Sequence, residues 1–128
     1  MLPRSMARNA KPLEPFDARY PARRLLDILG DKWTPILLYC LHGGARRFGE
    51  LQRQLPDISK KMLIQVLRRL ESDGLVSRRV FNQVPPKTEY SLTEEGRRFH
   101  EPIAAMCRWA IKNDELVAAV VRRRETKQ

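Results

Sequence analysis

The fold is decided by residues 59–93, which read SKKMLIQVLRRLESDGLVSRRVFNQVPPKTEYSLT. Apolar residues recur every three or four positions between Lys60 and Ser72, a spacing that predicts an amphipathic helix. Ser59 is a favourable N-cap residue for it, and Asp73-Gly74 is a typical helix end. The stretch is therefore expected to begin with one helix over residues 60–72.

In the rest of the stretch, apolar and polar residues alternate as they do along the two strands of a β-hairpin. Residues 75–81 and 87–92 alternate and are rich in β-branched and aromatic side chains, as strands are. The NQVPP segment at 82–86 cannot continue a strand, because proline has no backbone N–H to donate. A helix followed directly by a basic hairpin is predicted.

Three shorter helices are predicted upstream of this unit. Apolar spacing indicates helices over residues 22–29, 34–41 and 48–55. The first is expected to end at Gly30, and the second to begin at Thr34 as its N-cap.

A long last helix is predicted downstream, capped by Thr93 and apolar on one side as far as Val121. Pro102 is expected to kink or restart it. The complete order predicts a mainly α chain with a small β-hairpin, which is the winged helix-turn-helix arrangement.

The predicted helix over residues 60–72 has two distinct faces when projected at 100° per residue. An arc of about 140° is expected to be buried and holds Met62, Leu63, Val66, Leu67 and Leu70. The opposite, acid-free face holds Lys61, Gln65, Arg68 and Ser72. Arginine pairs with guanine and glutamine with adenine in a major groove, so this face predicts base reading. The same residues are also good helix formers, but the basic hairpin that follows favours DNA binding.

Two groups of residues are predicted to contact DNA. On the recognition helix and its N-terminus, where free amides favour a phosphate, they are Ser59, Lys60, Lys61, Gln65, Arg68 and Arg69. On the hairpin, which would lie along the backbone or enter a minor groove, they are Arg78, Arg79, Gln83 and Lys87.

The charge of the chain supports a polyanionic partner. The 128 residues include 25 Lys+Arg and 15 Asp+Glu, a formal net charge of +10. Residues 46–87 hold ten basic and four acidic side chains, a net +6. No unbroken apolar run exceeds six residues, whereas a spanning helix needs about 20, and residues 1–19 show no signal peptide. No membrane partner and a cytoplasmic location are expected.

No catalytic or metal chemistry is predicted. Cys40 and Cys107 belong to no C-x-x-C pair, so neither a disulfide scaffold nor a zinc site is expected, and both are interpreted as small buried hydrophobes. His42 and His100 lack a nearby nucleophile or metal-ligand spacing. We therefore expect a non-enzyme without metal or cofactor.

The length suits one domain. The expected organisation is a flexible basic arm over residues 1–19, a winged helix-turn-helix domain over 20–121 and a basic tail over 122–128. The last helix has more apolar residues than a small core can cover, which predicts a dimer interface. That interface is expected to include Trp109, Leu116, Val117 and Val120.

Five ordered segments resemble the motifs of one known family. They are residues 30–34 (GDKWT), 47–51 (RFGEL), 58–63 (ISKKML), 67–76 (LRRLESDGLV) and 84–93 (VPPKTEYSLT). Together they resemble the HxlR-type winged-helix regulators, which are relatives of the MarR-type bacterial repressors, over about residues 20–110.

The resemblance implies a homodimeric, cytoplasmic transcription factor that dimerises through its N- and C-terminal helices. Many members of that family sense oxidants or electrophiles through a Cys-Pro pair before the first core helix. This chain has Tyr20-Pro21 there, so no sensing role is carried over to Cys40 or Cys107. Ile64 also departs from the polar residue usual at its position, which bears on base preference.

We therefore expect a sequence-specific transcriptional regulator, a dimeric repressor of an imperfect palindrome. Helix 59–72 would enter the major groove of double-stranded DNA, and hairpin 78–90 would lie on the backbone or in the minor groove. The alternative is a winged-helix protein that binds nucleic acid without reading bases. A small-molecule or redox switch is a further hypothesis, with a pocket between the terminal helices and the core.

Overall fold

The structure is a computed structural model that describes residues 12–15 and 17–127. In this described part the elements follow in the order α1 (Pro21–Leu29), α2 (Trp33–His42), β1 (Arg46–Arg47), α3 (Phe48–Gln54), α4 (Lys60–Ser72), β2 (Val76–Phe81), β3 (Lys87–Leu92), α5 (Glu94–Lys112) and α6 (Asp114–Thr126). The mainly α chain with its hairpin is thereby confirmed. No helix among these residues has the length and apolar character needed to cross a bilayer.

The sheet has three antiparallel strands in the order β1-β3-β2, one more than the predicted hairpin. Tyr90 of β3 lies opposite Arg78 of β2 on one side and Arg46 of β1 on the other. A strand of two consecutive arginines is too short to show alternation, so β1 left no signal in the sequence.

Two predicted helix caps are confirmed. The Ser59 hydroxyl accepts a hydrogen bond from the Met62 N–H at 3.0 Å, at the start of α4. The Thr93 hydroxyl accepts one from the Gly96 N–H at 3.0 Å and donates to the Gly74 carbonyl at 2.6 Å. Thr93 therefore joins the start of α5 to the turn that ends α4.

The predicted N-cap of α2 is wrong. Thr34 lies inside the first turn of α2 and is fully buried. The Asp31 carboxylate supplies the cap, accepting hydrogen bonds from the Trp33 N–H at 3.2 Å and the Thr34 N–H at 3.0 Å. Both residue types are favourable caps and Asp is the stronger of the two, but Pro35 favoured a helix that begins directly after Thr34.

The core lies between α2, α4, α5 and the sheet. Four of the five residues predicted to be buried on α4 are buried, namely Leu63, Val66, Leu67 and Leu70. Met62 was placed there wrongly, because it stands at the edge of the projected arc and is 41% exposed. The opposite face of α4 is consequently fixed towards solvent.

The C-terminal region is divided at Asn113, so the predicted restart at Pro102 is wrong, whereas the alternative of a kink there stays a prediction. Helix α5 runs without interruption through Pro102. Asn113 ends it, with its backbone and side-chain N–H groups both donating to the Trp109 carbonyl, at 3.0 and 2.9 Å. Helix α6 then continues into the predicted basic tail as far as Thr126. Residues 1–11 and 16 of the predicted arm, and residue 128 of the tail, lie outside the described residues.

Candidate nucleic-acid interface

The exposed face of α4 carries the side chains predicted to read bases. Lys61, Gln65 and Arg68 are exposed along it, with Ser72 at its end. The leucines behind them are at most 1% exposed. A rigid, well-packed helix thus presents two cations and one amide to solvent, and no carboxylate lies among them.

The N-terminus of α4 is also open. Ser59 and Lys60 are exposed, and the Ser59 hydroxyl caps the third amide of the helix. The N–H groups of the first two helical residues have no intrahelical acceptor and suit an anion.

Cations from the helix and from the hairpin meet in one cleft of about 460 Å³. Its walls include Arg68 of α4 and Arg78 of β2, and its apolar lining includes Phe48, Ile64 and Tyr90. Ile64 is half-buried, so its apolar side chain forms part of this wall. Burial raises the pKa of the Tyr90 hydroxyl, against the opposing effect of Arg78, so the phenol stays neutral.

Arg78 has an acidic neighbour on that side of the hairpin. Its Nε lies 3.5 Å from the Glu71 carboxylate at the end of α4. Both side chains remain substantially exposed, so the pair adds little to stability. The contact does hold the Arg78 side chain near the end of α4, on the cleft that Arg68 also lines.

The two neighbouring arginines of β2 point to opposite faces of the sheet. Arg78 pairs with Tyr90, whereas Arg79 pairs with Glu89. Because side chains alternate along a strand, only Arg78 shares the face of buried Val76. The sequence prediction grouped both arginines on one surface, and strand alternation is the signal that separates them.

On the outer face of the hairpin, two cationic side chains lie over the same aromatic ring, and one of them also forms an ion pair. The Arg79 guanidinium lies 4.5 Å and the Lys87 ammonium 4.6 Å from the centre of the Phe81 ring. Lys87 also pairs with Glu89 at 2.9 Å, and its side chain is 20% exposed. Lys87 is therefore largely enclosed by its neighbours, while Gln83 at the tip is exposed.

Arg69, the remaining predicted contact, lies on the flank of α4 that faces the start of α2. Its guanidinium contacts the Asp31 carboxylate at 3.1 Å and the Thr34 hydroxyl at 2.8 Å. Sequence reasoning did not identify Asp31, Glu71 or Glu89 as partners of these cations. The contact with Asp31 spans 38 positions, and a helical projection carries no information about it.

The predicted dimer residues form an uncovered apolar face. Trp109 near the end of α5 is 55% exposed, and Leu116, Val117 and Val120 of α6 are exposed as well. No residue of α6 is buried. Within the described chain this face has no cover.

The cysteines differ from each other. Cys40 is half-buried, and burial raises the pKa of its thiol. Cys107 is exposed on α5, so its prediction as a buried hydrophobe is wrong. The described residues contain no group of three or more side chains able to hold a metal ion.

Comparison with known proteins identifies the family. The HxlR-like helix-turn-helix family matches residues 28–117, more than two thirds of the chain. The chain belongs to this family. The uncharacterized HTH-type transcriptional regulator YkvN of Bacillus subtilis is 49% identical over 83 residues, covering 65% of this chain and 70% of YkvN. The uncharacterized HTH-type transcriptional regulator YtfH of Escherichia coli is 36% identical over 116 residues, covering 91% and 92%.

Solved structures of regulators share the fold. The redox regulator HypR in its reduced form is 43% identical, with a TM-score of 0.75 over 78% of this chain and 99% of HypR. The reduced form of the transcriptional regulator YodB from B. subtilis is 34% identical, with a TM-score of 0.64 over 71% of this chain and 90% of YodB. The predicted winged-helix fold is confirmed, and the HxlR-like family is one of DNA-binding transcriptional regulators, which are generally not enzymes.

Proposed function

We propose that this HxlR-like protein is a sequence-specific transcriptional regulator that inserts α4 into the major groove of double-stranded DNA. The observation that carries the proposal is the shared cleft of Arg68 and Arg78, which belong to α4 and to the hairpin. A duplex that meets the exposed face of α4 therefore meets the hairpin at the same time. Helix and hairpin then act as one binding surface.

Each part of the surface has its own role. Gln65 and Arg68 read base edges, because amide and guanidinium groups pair bidentately with adenine and guanine. Lys61 lies beside them, and Ser59 with Lys60 holds a phosphate at the start of α4. Arg78, Arg79, Gln83 and Lys87 of the hairpin follow the backbone or enter the minor groove.

The active form is a homodimer. The exposed apolar residues of α5 and α6 support this, because a contiguous apolar face of this kind usually marks an interface. A two-fold dimer places two α4 helices about 34 Å apart, so the operator is an imperfect palindrome with half-sites one helical turn apart. Repression follows when the bound dimer covers a promoter.

A selection from random duplexes, followed by a competition titration, tests this function. The selected duplex is expected to bind about a thousandfold or more tightly than a scrambled duplex of equal length at the same salt concentration. Equal displacement by both duplexes would leave the alternative, a winged-helix protein that binds nucleic acid without reading bases.

The half-site spacing gives a second arm of the same experiment. Inserting five base pairs between the half-sites turns one of them to the opposite side of the duplex, because a turn contains about 10.5 base pairs. The dimer then loses one of its two contacts, and affinity falls to that of a single half-site. An unchanged affinity would contradict the dimeric arrangement.

A small-molecule effector remains a prediction of the sequence. A cleft of about 350 Å³ between α1 and α5, lined by Leu25, Phe99 and Pro102 among others, supports a site between the terminal helices and the core. The cytoplasmic location also remains a prediction.

A further inference from the structure

Arg69 joins α4 to the segment in front of α2 through a single nitrogen atom. Its Nη2 donates to Oδ2 of Asp31 at 3.1 Å and to the hydroxyl oxygen of Thr34 at 2.8 Å. Thr34 is fully buried, and the Arg69 side chain is half exposed. One end of the contact is therefore fixed in the core.

The same carboxylate oxygen of Asp31 caps α2. It accepts hydrogen bonds from the N–H groups of Trp33 and Thr34 as well as from Arg69. Partial burial acts to raise the pKa of Asp31, but hydrogen bonds from Thr34 and the charge of Arg69 outweigh it, and the pKa lies below its ordinary value. Asp31 is consequently ionised at neutral pH, and a charge-assisted hydrogen bond is about twice as strong as a neutral one.

The position of Arg69 along α4 links this contact to the residues proposed to read bases. Arg69 directly follows Arg68 and is one turn after Gln65. Holding Arg69 therefore restrains the rotation of α4 about its own axis, in addition to the packing of its buried residues. At the helix radius of about 5–6 Å, a rotation of about 10° displaces a side-chain tip by about 1 Å, which is enough to spoil a bidentate hydrogen bond to a base.

We propose that Arg69 is a positioning residue: anchored by Asp31 and Thr34, it sets the rotation at which α4 presents Gln65 and Arg68 to base edges. This assigns Arg69 a different role from the DNA contact predicted from sequence. The inference rests on the proposed function, because it concerns how precisely bases are read. The contact between Arg69 and Asp31 also connects α4 to α1, because Asp31 belongs to the short segment 30–32 between α1 and α2.

Asp31→Asn separates the two roles of Arg69, because they predict opposite results. The substitution removes one negative charge and the ion pair with Arg69, and it leaves the Thr34 hydroxyl as the remaining acceptor for the guanidinium. If Arg69 bound DNA directly, every duplex would bind equally well or more tightly. If Arg69 positions α4, the ratio of affinities for the selected and scrambled duplexes falls by about tenfold, the discrimination of one good base contact.

The 128-residue chain is titrated with both duplexes at several salt concentrations, and thermal unfolding is followed for each variant. Arg69→Ala is expected to lower the affinity ratio as Asp31→Asn does, and the double variant to lower it no further. Arg122→Ala, on exposed α6, removes the same charge and is expected to leave the ratio unchanged. A fall in affinity for both duplexes together with a shallower salt slope in Arg69→Ala would overturn the inference in favour of a phosphate contact.

Two substitutions at Thr34 distinguish the loss of its hydroxyl group from a general loss of folding. Thr34→Val keeps the shape of the side chain but removes the hydroxyl acceptor, whereas Thr34→Ser keeps the hydroxyl. The affinity ratio is expected to fall in Thr34→Val and to be retained in Thr34→Ser, even though the serine variant loses a buried methyl group. The opposite order would overturn the inference.

The two proposals fail in different ways. A wild-type protein that binds both duplexes equally refutes the proposed function itself. A wild-type protein with a clear preference, whose ratio is unchanged in Asp31→Asn, Arg69→Ala and Thr34→Val, refutes the role of Arg69 alone.

Discussion

The imidazole rings of His42 and His100 are stacked in parallel, with centroids 3.6 Å apart and planes only 2° from each other. His42 is the last residue of α2, and His100 lies in the first half of α5, so the pair joins two packed helices. Nε2 of His100 is buried without a hydrogen-bond partner among the described residues. Burial, reinforced by the proximity of His42, lowers the pKa of His100 below its ordinary value of 6.5.

Stability is therefore expected to fall as the pH drops from 7.5 to 5.5. In this window the unfolded chain binds more protons at His100 than the folded chain does, so the free energy of unfolding decreases with falling pH. Above pH 6.5 the His100 imidazole is mostly neutral in both the folded and the unfolded chain, so the full free energy of unfolding is present. Below pH 6.5 the unfolded chain takes up the proton first, and the free energy of unfolding decreases. Urea unfolding at several pH values measures the slope. His100→Phe retains an aromatic ring and is expected to flatten it, and an unchanged slope in that variant would exclude His100 as its source.

Gly96→Ala is expected to destabilise the protein by about 1–3 kcal/mol. A Cβ at Gly96 would collide with the Leu75 carbonyl oxygen, because the start of α5 lies directly on that backbone. Gly49→Ala is the matched control, since Gly49 also lies in the first turn of a helix and a Cβ there meets only the end of a flexible arginine. Thermal unfolding of both variants checks this. Equal stabilities would show that α5 has room to shift.

Glu89→Gln is expected to strengthen binding to all duplexes. Glu89 holds Lys87 at 2.9 Å, and removing its charge frees the ammonium group for a phosphate. Lys87→Ala should have the opposite effect and reduce the slope of log affinity against log salt by about one. Titrations at three or more salt concentrations give both slopes. If both variants bind like wild type, the outer face of the hairpin does not contact DNA.

Arg68→Ala is expected to cost about 1–3 kcal/mol of binding to the selected duplex and to relax the preference at one base position. Affinities for duplexes carrying each of the four base pairs at that position measure the loss. Arg53→Ala, another exposed arginine in a helix, serves as the charge-matched comparison. A loss that is the same for all four base pairs would make Arg68 a backbone contact.

Val120→Asp is expected to convert the proposed dimer into monomers, because in that proposal a carboxylate would be buried in the apolar interface without a partner. Sedimentation velocity at several protein concentrations follows the change. Thr126→Asp adds the same charge to an exposed position of α6 and should leave the dimer intact. Identical sedimentation of wild type and Val120→Asp would place the interface elsewhere.

The parts of the structure that depend on local sequence were predictable. Ser59 and Thr93 cap α4 and α5 as expected, and the predicted strand over residues 87–92 coincides with β3. In each case the signal lies within a few residues of the feature, in a cap, a turn or an alternating run.

The parts that depend on distant partners were not predictable. Asp31 and Thr34 are both favourable cap residues, and nothing in the local sequence signals that the Thr34 hydroxyl accepts a hydrogen bond from Arg69, 35 positions away. Likewise α5 continues through Pro102, because its packing against α2 and the sheet outweighs the local preference. Arg69 itself was predicted to contact DNA because a helical projection shows on which face a side chain lies, but not which residues of other elements it contacts.

Strand β3 is paired on both sides, with β1 and with β2, and its last ladder partner before the tip is Phe81 opposite Lys87. Residues 82–86 therefore lie outside the ladder. Adding or deleting residues there changes how far the hairpin extends without altering the pairing of Tyr90 with Arg46 and Arg78. In the proposed binding mode, the length of the 82–86 loop would therefore change how far the hairpin extends along DNA while the residues that α4 presents stay the same.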